Sequence, residues 1–318
     1  MLADIGGTNA RIAVEDVEDR VLKHVYSYVV AQYDSFLSVL EEFLKDVSKL
    51  NQWQPNPSKA CLAVAAIPEN SIIRFTNSSW SFSRDEISLR FGGIEVEVIN
   101  DYEGTARAIP YLSSEDWHRI GSCDSRFGDC NQAILGPGTG LGVAGIVTHN
   151  GGNKVISGEG GHVDFAPTND QELQIFKYLQ DKFGRVSVER LLSGEGISNI
   201  YAALSLQDSH NRAMLNEIEI GRSADSGEST FCLSVMNIFF SILGSVAGNL
   251  ALTFGAGGGV TIAGGIVPRY LCLLDNSPFR SRFEDKGRYQ AYLKAIPTRV
   301  ITCSNVGLLG ASDKLRGY

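Results

Sequence analysis

DIGGTNAR, residues 4–11, lies between a short apolar start and the apolar run Ile12-Ala13-Val14. Its adjacent glycines permit backbone angles closed to other residues and leave main-chain N–H groups open to a polyphosphate. The stretch therefore predicts a strand–turn–strand phosphate clamp; an ordinary capped glycine turn is the alternative. The predicted clamp residues are Gly6, Gly7, Thr8 and Asn9. Asp4 would hold Mg²⁺ through water, because this ion keeps most of its water and takes only one or two carboxylates.

A second glycine cluster, GPGTGLG at 136–142, also lies between two apolar runs, Ala133-Ile134-Leu135 and Val143-Ala144-Gly145-Ile146-Val147. It predicts a second clamp, at Gly138, Thr139 and Gly140. A third segment, GGGVTIAGGIVPR at 257–269, places a strand before Gly264-Gly265, where an adenine ring would lie against bare backbone. The spacing fits neither GxxxxGK[ST] nor GxGxxG, which disfavours P-loop and Rossmann interpretations.

With these motifs in order, the chain resembles bacterial-type glucokinases of the actin, Hsp70 and sugar-kinase superfamily. The resemblance covers residues 4 to about 316 and also includes IND at 99–101, GEGGHVDFAP at 158–167, ERLLSGEG at 189–196 and FEDKGR at 283–288. It implies an α/β, two-domain actin-like ATPase (ribonuclease H-like) fold with a central cleft. It also implies ATP-dependent phosphorylation of glucose at the 6-hydroxyl, with ATP and Mg²⁺, in a homodimer.

The expected domains are a small α/β domain, 1–101 plus 303–318, and a large α/β domain, 102–302. The chain would cross between them twice, with a hinge near 100–105 and 303–307 where Gly104 and Gly307 can absorb rotation. Because the predicted ligands are divided between the domains, we expect glucose to favour closure, which excludes water from the phosphoryl group.

Asp101 is the predicted catalytic base. It follows the alternating strand pattern of residues 94–98, and open α/β sheets bind ligands at the carboxyl ends of their strands. A carboxylate there can take the proton of a sugar hydroxyl that attacks the terminal phosphate. Asn100 would bind the same sugar, since its amide both donates and accepts. Asn-Asp after a strand is otherwise usually a turn.

Glu159, His162 and Glu189 are the other predicted glucose ligands. Carboxylates suit sugars because each oxygen accepts hydroxyl hydrogens, and the resemblance assigns these positions to the sugar. A divalent-metal site of His162 with Glu159 and Asp164 is the alternative, disfavoured because no second histidine is near. Asp164 would otherwise brace its neighbours.

Charge and cysteine content limit the other function classes. The formal charge of -8 argues against a nucleic-acid partner. The 6 cysteines lack CxxC spacing and predict reduced thiols. Residues 231–254 are long enough to span a bilayer, but interrupting Asn, Ser and Gly residues predict a buried helix instead. We expect a cytoplasmic protein without a membrane partner.

Local patterns predict an amphipathic helix over residues 36–50, a second one that stops near Gly184, and loops near 122–131 and 217–229. Because only three residues precede Asp4, the first strand is expected to fray. Two other functions stay open: a kinase for another hexose such as mannose or fructose, and a sugar-sensing regulator without turnover. The retained Asp101, both clamps and the lack of a DNA-reading extension argue against the regulator.

Overall fold

The computed structural model describes residues 1–16, 18–19, 21–51, 56–75, 79–123, 130–149, 152–206 and 213–317. The strands are β1 (Leu2–Ile5), β2 (Asn9–Glu15), β3 (Leu22–Val29), β4 (Lys59–Val64), β5 (Ile72–Arg74), β6 (Ser81–Ser83), β7 (Glu95–Asn100), β8 (Trp117–Ile120), β9 (Gln132–Pro137), β10 (Leu141–His149), β11 (Gly152–Gly158), β12 (Val260–Ile262) and β13 (Thr298–Ile301).

The α-helices are α1 (Phe36–Asn51), α2 (Arg84–Arg90), α3 (Asp101–Ala108), α4 (Asp170–Phe183), α5 (Gly194–Ser205), α6 (Glu217–Asp225), α7 (Thr230–Phe254), α8 (Leu271–Asp275), α9 (Phe279–Glu284), α10 (Gln290–Lys294) and α11 (Val306–Arg316). Short 3₁₀ helices cover Val30–Gln32, Ile109–Tyr111, Ser114–Asp116, Gly160–His162, Val188–Arg190, Val267–Tyr270 and Gly287–Tyr289.

The chain divides into two compact units, residues 1–112 with 303–318, and residues 113–302. The expected division placed residues 102–112 in the larger domain. In the structure α3 belongs to the first unit, because it packs tightly along α11. A Cβ at Gly310 of α11 would overlap the carbonyl oxygen of Gly104 of α3, so the two backbones are in contact there.

The first unit is built on a sheet with the strand order β3-β2-β1-β4-β7. β1 lies in its middle, antiparallel to β2 and parallel to β4. The expectation of a frayed first strand is therefore wrong: both neighbours bind β1, and Leu2 and Ile5 are fully buried. α1 covers one face with Phe36, Leu40 and Phe43, as its periodicity predicts, while α11 contributes Leu308 and Ala311 to a separate cluster with Leu2, Ala63 and Ile99.

The second unit is built on a sheet with the strand order β11-β10-β9-β12-β13-β8. α7 packs in its core, capped at its start by Ser229 and ended by Gly255 in the left-handed conformation, φ 59°. α7 is long and apolar enough to cross a membrane, yet 67% of its most apolar window is buried. Gly244 and Gly248 touch the backbone of α9, which is the packing of a core helix.

The loop predicted at 217–229 is wrong, because residues 217–225 form α6. Asn216 caps this helix through its side chain, and Glu219 bonds back to the Asn216 N–H at 2.9 Å. The helix predicted to stop near Gly184 is confirmed: α4 ends at Phe183, and Gly184 has a φ of 75°. Within the loop predicted at 122–131, residues 124–129 lie outside the described part of the chain.

Candidate active site residues

The first glycine turn, residues 6–8, joins β1 to β2. Gly6 N–H donates to the Asn9 carbonyl at 3.0 Å, and Val30 N–H donates to the Thr8 carbonyl at 2.9 Å. These bonds hold the turn at its base and on one side. The predicted strand–turn–strand arrangement is therefore confirmed, and phosphate binding by this turn stays a prediction.

Asp4 lies on β1, in the middle of the sheet of the first unit. Burial raises the pKa of its carboxyl, and the positive charge of Arg11, whose Nη1 lies 3.6 Å away, partly opposes that rise. A Cβ at Gly307 of α11 would overlap this carboxyl group, so α11 leaves room for it only because residue 307 is glycine. Asp4 is thus a largely enclosed carboxylate that lies close to the Arg11 guanidinium.

Asn100 and Asp101 lie at the junction of β7 and α3. The Asn100 side-chain oxygen accepts hydrogen bonds from Tyr102 N–H at 2.9 Å and Glu103 N–H at 3.3 Å, so it caps α3. Asp101 occupies the first position of the helix, where its Oδ1 accepts from Tyr102 N–H at 3.0 Å. The carboxylate therefore lies at the positive end of α3.

Tyr102 is a further residue beside Asp101 and is not among the predicted site residues. Its side chain is partly buried, and the loss of hydration together with the negative charges of Asp101 and Asp4 raises the pKa of its phenol well above the ordinary value. The hydroxyl therefore stays protonated near both carboxylates. No motif marks this tyrosine; only its position directly after Asp101 connects it with the site.

The second glycine turn, residues 138–140, joins β9 to β10 in the second unit. Gly138 N–H donates to the Gly140 carbonyl at 2.8 Å, and Gly194 N–H donates to the Gly138 carbonyl at 2.9 Å. Gly194 begins α5, whose cap is Ser193. The positive end of α5 therefore lies at this turn, an arrangement that favours an anion. This helix terminus is not among the predicted ligand groups, although a serine three residues before Gly196 signals a cap.

The third glycine pair lies beside the second turn. β12 runs parallel to β9, and Ala263 N–H donates to the Leu135 carbonyl at 2.8 Å. Gly264 has a φ of +85°, and a Cβ there would overlap the Pro137 carbonyl. Gly265 by contrast has open space around it, with the nearest atom, Arg269 Nη2, 3.9 Å from a Cβ position. The predicted adenine surface and the second turn thus occupy one edge of one sheet.

Glu159, His162 and Glu189 are brought together, as the sequence predicts for residues that share a ligand. His162 Nε2 lies 4.0 Å from Glu159 Oε2, and its Nδ1 lies 4.0 Å from Glu189 Oε1. Val188 N–H donates to the Val163 carbonyl at 3.0 Å, which ties the two segments to each other. The side chains of Glu159 and His162 are more than half exposed, so they are open to a solute.

Asp164 lies next to this cluster and pairs with Arg185. Its Oδ1 lies 2.7 Å from Arg185 Nη2, and the same nitrogen donates to the His162 carbonyl at 2.7 Å. Because Asp164 is engaged by a cation, it is not arranged as a metal ligand. Among the described residues no group of three His, Cys, Asp or Glu side chains could hold a metal ion.

The glucokinase family model matches residues 1–317. A curated glucokinase of Tolumonas auensis is 39% identical over 316 residues, which cover 99% of this chain and 96% of that protein. The crystal structure of a glucokinase from an Antarctic psychrotroph superposes with a TM-score of 0.83 at 34% identity, covering 100% of this chain and 98% of that one.

Two more distant structures carry ligands. A Balamuthia mandrillaris glucokinase in complex with glucose has a TM-score of 0.83 at 24% identity, covering 99% of this chain and 93% of that one. A Streptomyces griseus glucokinase of the ROK family, in complex with glucose and AMPPNP, has a TM-score of 0.66 at 18% identity, covering 99% and 98%. Together with the α/β units these likenesses confirm the actin-like sugar-kinase fold, and the match over nearly the whole length shows that the chain belongs to the glucokinase family.

Proposed function

We propose that this protein transfers the terminal phosphoryl group of ATP to the 6-hydroxyl of glucose, giving glucose 6-phosphate and ADP. The observation that carries the proposal is the cluster of Glu159, His162 and Glu189 beside a strand–glycine–strand turn. Two carboxylates flanking an exposed imidazole offer acceptors and a donor to neighbouring hydroxyls. The relatives named glucokinase, and the glucose and AMPPNP complexes of the more distant structures, support the same ligands.

Asp101 would act as the base. As the O6–phosphorus bond forms and the bond from phosphorus to the β–γ bridging oxygen breaks, the proton of the 6-hydroxyl passes to the Asp101 carboxylate. Asn100 would assist as a donor, because its side-chain oxygen already caps α3 and its amide NH₂ is the remaining polar group. Glu159, His162 and Glu189 would orient the ring, so that the attacking oxygen is the one at carbon 6.

ATP would be bound by both glycine turns. Gly6, Gly7, Thr8 and Asn9 in the first unit, and Gly138 and Thr139 in the second, offer main-chain and hydroxyl donors to the phosphates. Gly264 and Gly265 would accept the adenine ring, since a glycine pair exposes flat backbone.

Mg²⁺ fits the same proposal through Asp4. A largely enclosed carboxylate suits an ion that keeps several waters and takes its remaining ligands from phosphate. When bound, the ion would neutralise charge on the transferred phosphoryl group. Asp4 would hold its water shell, while Arg11 limits how far the carboxylate can move.

A coupled assay for ADP formation with and without glucose tests this function. We expect turnover to require glucose, and parallel measurements with mannose and fructose to give lower kcat/KM values. A higher kcat/KM for either sugar would reassign the substrate. Glucose binding without ADP formation would make the protein a sugar-binding regulator and contradict the kinase proposal.

His162→Ala tests the sugar cluster within that assay. We expect it to raise the KM for glucose with little change in the KM for ATP, by about 10-fold or more for lost hydrogen bonds to a polar ligand. His118→Ala is the matched control, because His118 pairs with Asp275 elsewhere in the second unit. An increase confined to the KM for ATP would place His162 on the nucleotide instead.

We further propose that the protein works in the cytoplasm as a homodimer, as the resemblance to bacterial glucokinases implies. Light scattering coupled to size exclusion tests the second part: a mass of twice 34.5 kDa is expected. A monomer that retains full activity at assay concentration would contradict it.

A further inference from the structure

The carboxylate of Glu189 is hydrogen-bonded to the backbone that follows the second glycine turn. Its Oε2 accepts a hydrogen bond from Leu141 N–H at 2.8 Å, while its Oε1 faces His162. Leu141 is the first residue of β10 and directly follows Gly140. One predicted sugar ligand is therefore hydrogen-bonded to the backbone of the turn that the sequence assigns to phosphate.

Gly140 makes this hydrogen bond possible. A Cβ at residue 140 would lie 2.5 Å from Glu189 Oε2 and 3.3 Å from the Glu189 carboxyl carbon. Any side chain at this position would push the carboxylate off the Leu141 N–H. Gly138 of the same turn differs, because the nearest atom to its Cβ position is the Gly140 carbonyl oxygen at 4.0 Å.

The backbone on the other side of the carboxylate is also fixed. Ser193 Oγ donates to the Glu189 carbonyl at 2.9 Å and accepts from Gly196 N–H at 3.0 Å, which ties residue 189 to the start of α5. The Glu189 side chain has an exposed fraction of only 30%, about half that of Glu159. The Glu189 carboxylate thus has little freedom to follow a displaced partner.

We infer that Gly140 is a positioning residue for the sugar and not a phosphate ligand: its missing side chain lets Glu189 bond Leu141 N–H and so fixes the carboxylate that receives the sugar. The inference rests on the proposed function and reassigns one residue of the second clamp. Phosphate binding by this turn would then be left to Gly138 and Thr139.

A double-mutant cycle of Gly140→Ala and Glu189→Ala tests the inference. In the wild-type background, Gly140→Ala should raise the KM for glucose about 10- to 100-fold, as for the loss of a charge-assisted hydrogen bond, with the KM for ATP nearly unchanged. In the Glu189→Ala background the same substitution has nothing to displace, so it should leave the KM for glucose unchanged. Gly138→Ala should raise the KM for ATP instead.

The opposite result would overturn the inference: a higher KM for ATP in both backgrounds makes Gly140 a phosphate ligand. Gly152→Ala, at an exposed strand end with a Cβ position 3.7 Å from the His149 carbonyl, controls for the added methyl group. Glucose affinity measured by calorimetry without ATP gives the same comparison independently of turnover. If the wild-type protein binds glucose but does not phosphorylate it, the proposed function is wrong. The inference about Gly140 would then be decided by the double-mutant cycle of glucose affinities alone.

Discussion

Asp101 is the residue on which turnover should depend most. We expect Asp101→Asn to lower kcat by roughly 10²–10⁴-fold, the usual contribution of a positioned base, while the fold is kept. The amide keeps an oxygen that can accept from Tyr102 N–H, so α3 retains this bond. Stopped assays of glucose 6-phosphate, with circular dichroism as the folding check, measure the effect. A folded variant with nearly normal kcat would show that another group takes the proton.

The Asp4 carboxyl group should lower the free energy of unfolding at neutral pH. Burial raises its pKa in the folded protein above the ordinary value of 3.8, so its favourable contribution is present below pH 3.8 and is lost as the pH rises through the folded pKa. Asp4→Asn should therefore be more stable than wild type at pH 7, by about 1.4 kcal/mol for each unit of the shift. The stability advantage of Asp4→Asn should shrink toward pH 4. The variant should also consume ATP more slowly than wild type. Urea unfolding at both pH values measures the first two effects.

Asp16→Asn provides a control of opposite sign. Hydrogen bonding to Lys23 lowers the pKa of Asp16 to about 2, so this carboxylate contributes at pH 7 and loses its contribution only as the pH falls through that value. Asp16→Asn should give no gain in stability at pH 7. If Asp4→Asn is less stable than wild type at pH 7, the pairing with Arg11 outweighs burial.

The site residues that belong to recognisable sequence motifs were predictable, and the others were not. The glycine pairs, Asn100-Asp101 and the acidic and imidazole groups follow from sequence, because turns and hydroxyl binding need those residue types. The hydrogen bond from Leu141 N–H to Glu189 was not predictable, since the two residues lie far apart in sequence and the donor is a main-chain group. Tyr102 was missed for a similar reason, as only burial next to two carboxylates gives it meaning.

At the scale of elements, the contact between α3 and α11 should be unusually sensitive to side-chain size. Alanine normally stabilises a helix interior by about 1 kcal/mol relative to glycine. At Gly310 a Cβ would overlap the Gly104 carbonyl, so Gly310→Ala should instead lower the free energy of unfolding by about 1–3 kcal/mol. Denaturant titration of this variant beside Gly152→Ala would measure it. Unchanged stability would mean that α11 can move away without loss.

Elements with one strong pattern were predicted well, and those with competing signals were not. The four- and three-residue spacing of Phe36, Leu40, Phe43 and Val47 indicates α1 directly. The polar composition of residues 217–229 predicts a loop where α6 forms, although Asn216 and Glu219 form the side-chain cap typical of a helix start. The few residues before Asp4 predict a frayed β1, whereas pairing with β2 and β4 on both sides holds this strand in place.

At the scale of the molecule, Gly104 and Gly307 do not lie where a hinge is expected. Both are inside helices of the first unit and in close contact with it, Gly104 with Ala63 and Gly307 with Asp4. The chain passes between units at 112–113 and at 302–303. If glucose induces a rearrangement, we expect the backbone to turn at these crossings and α3 and α11 to move as one body.

Small-angle scattering tests whether glucose induces closure at all. Because the proposed sugar ligands are divided between the units, saturating glucose should lower the radius of gyration of the wild-type protein. The Glu159→Gln/His162→Ala double variant, at the same glucose concentration, is the control for non-specific effects of the sugar. An unchanged radius in wild-type protein that is shown to bind glucose would mean that no closure accompanies binding.

The discontinuous first unit has a consequence for biosynthesis. Residues 303–318 are translated after the whole of 113–302, yet α11 supplies Leu308 and Ala311 to the cluster around Leu2 and Ala63. At common elongation rates, residues 1–112 wait roughly 10–40 s on the ribosome for this helix. During that interval the cluster around Leu2 and Ala63 lacks the side chains of α11, while 113–302 is contiguous and can fold as it emerges. Nascent chains stalled before residue 303 should accordingly be the species that ribosome-bound chaperones retain longest.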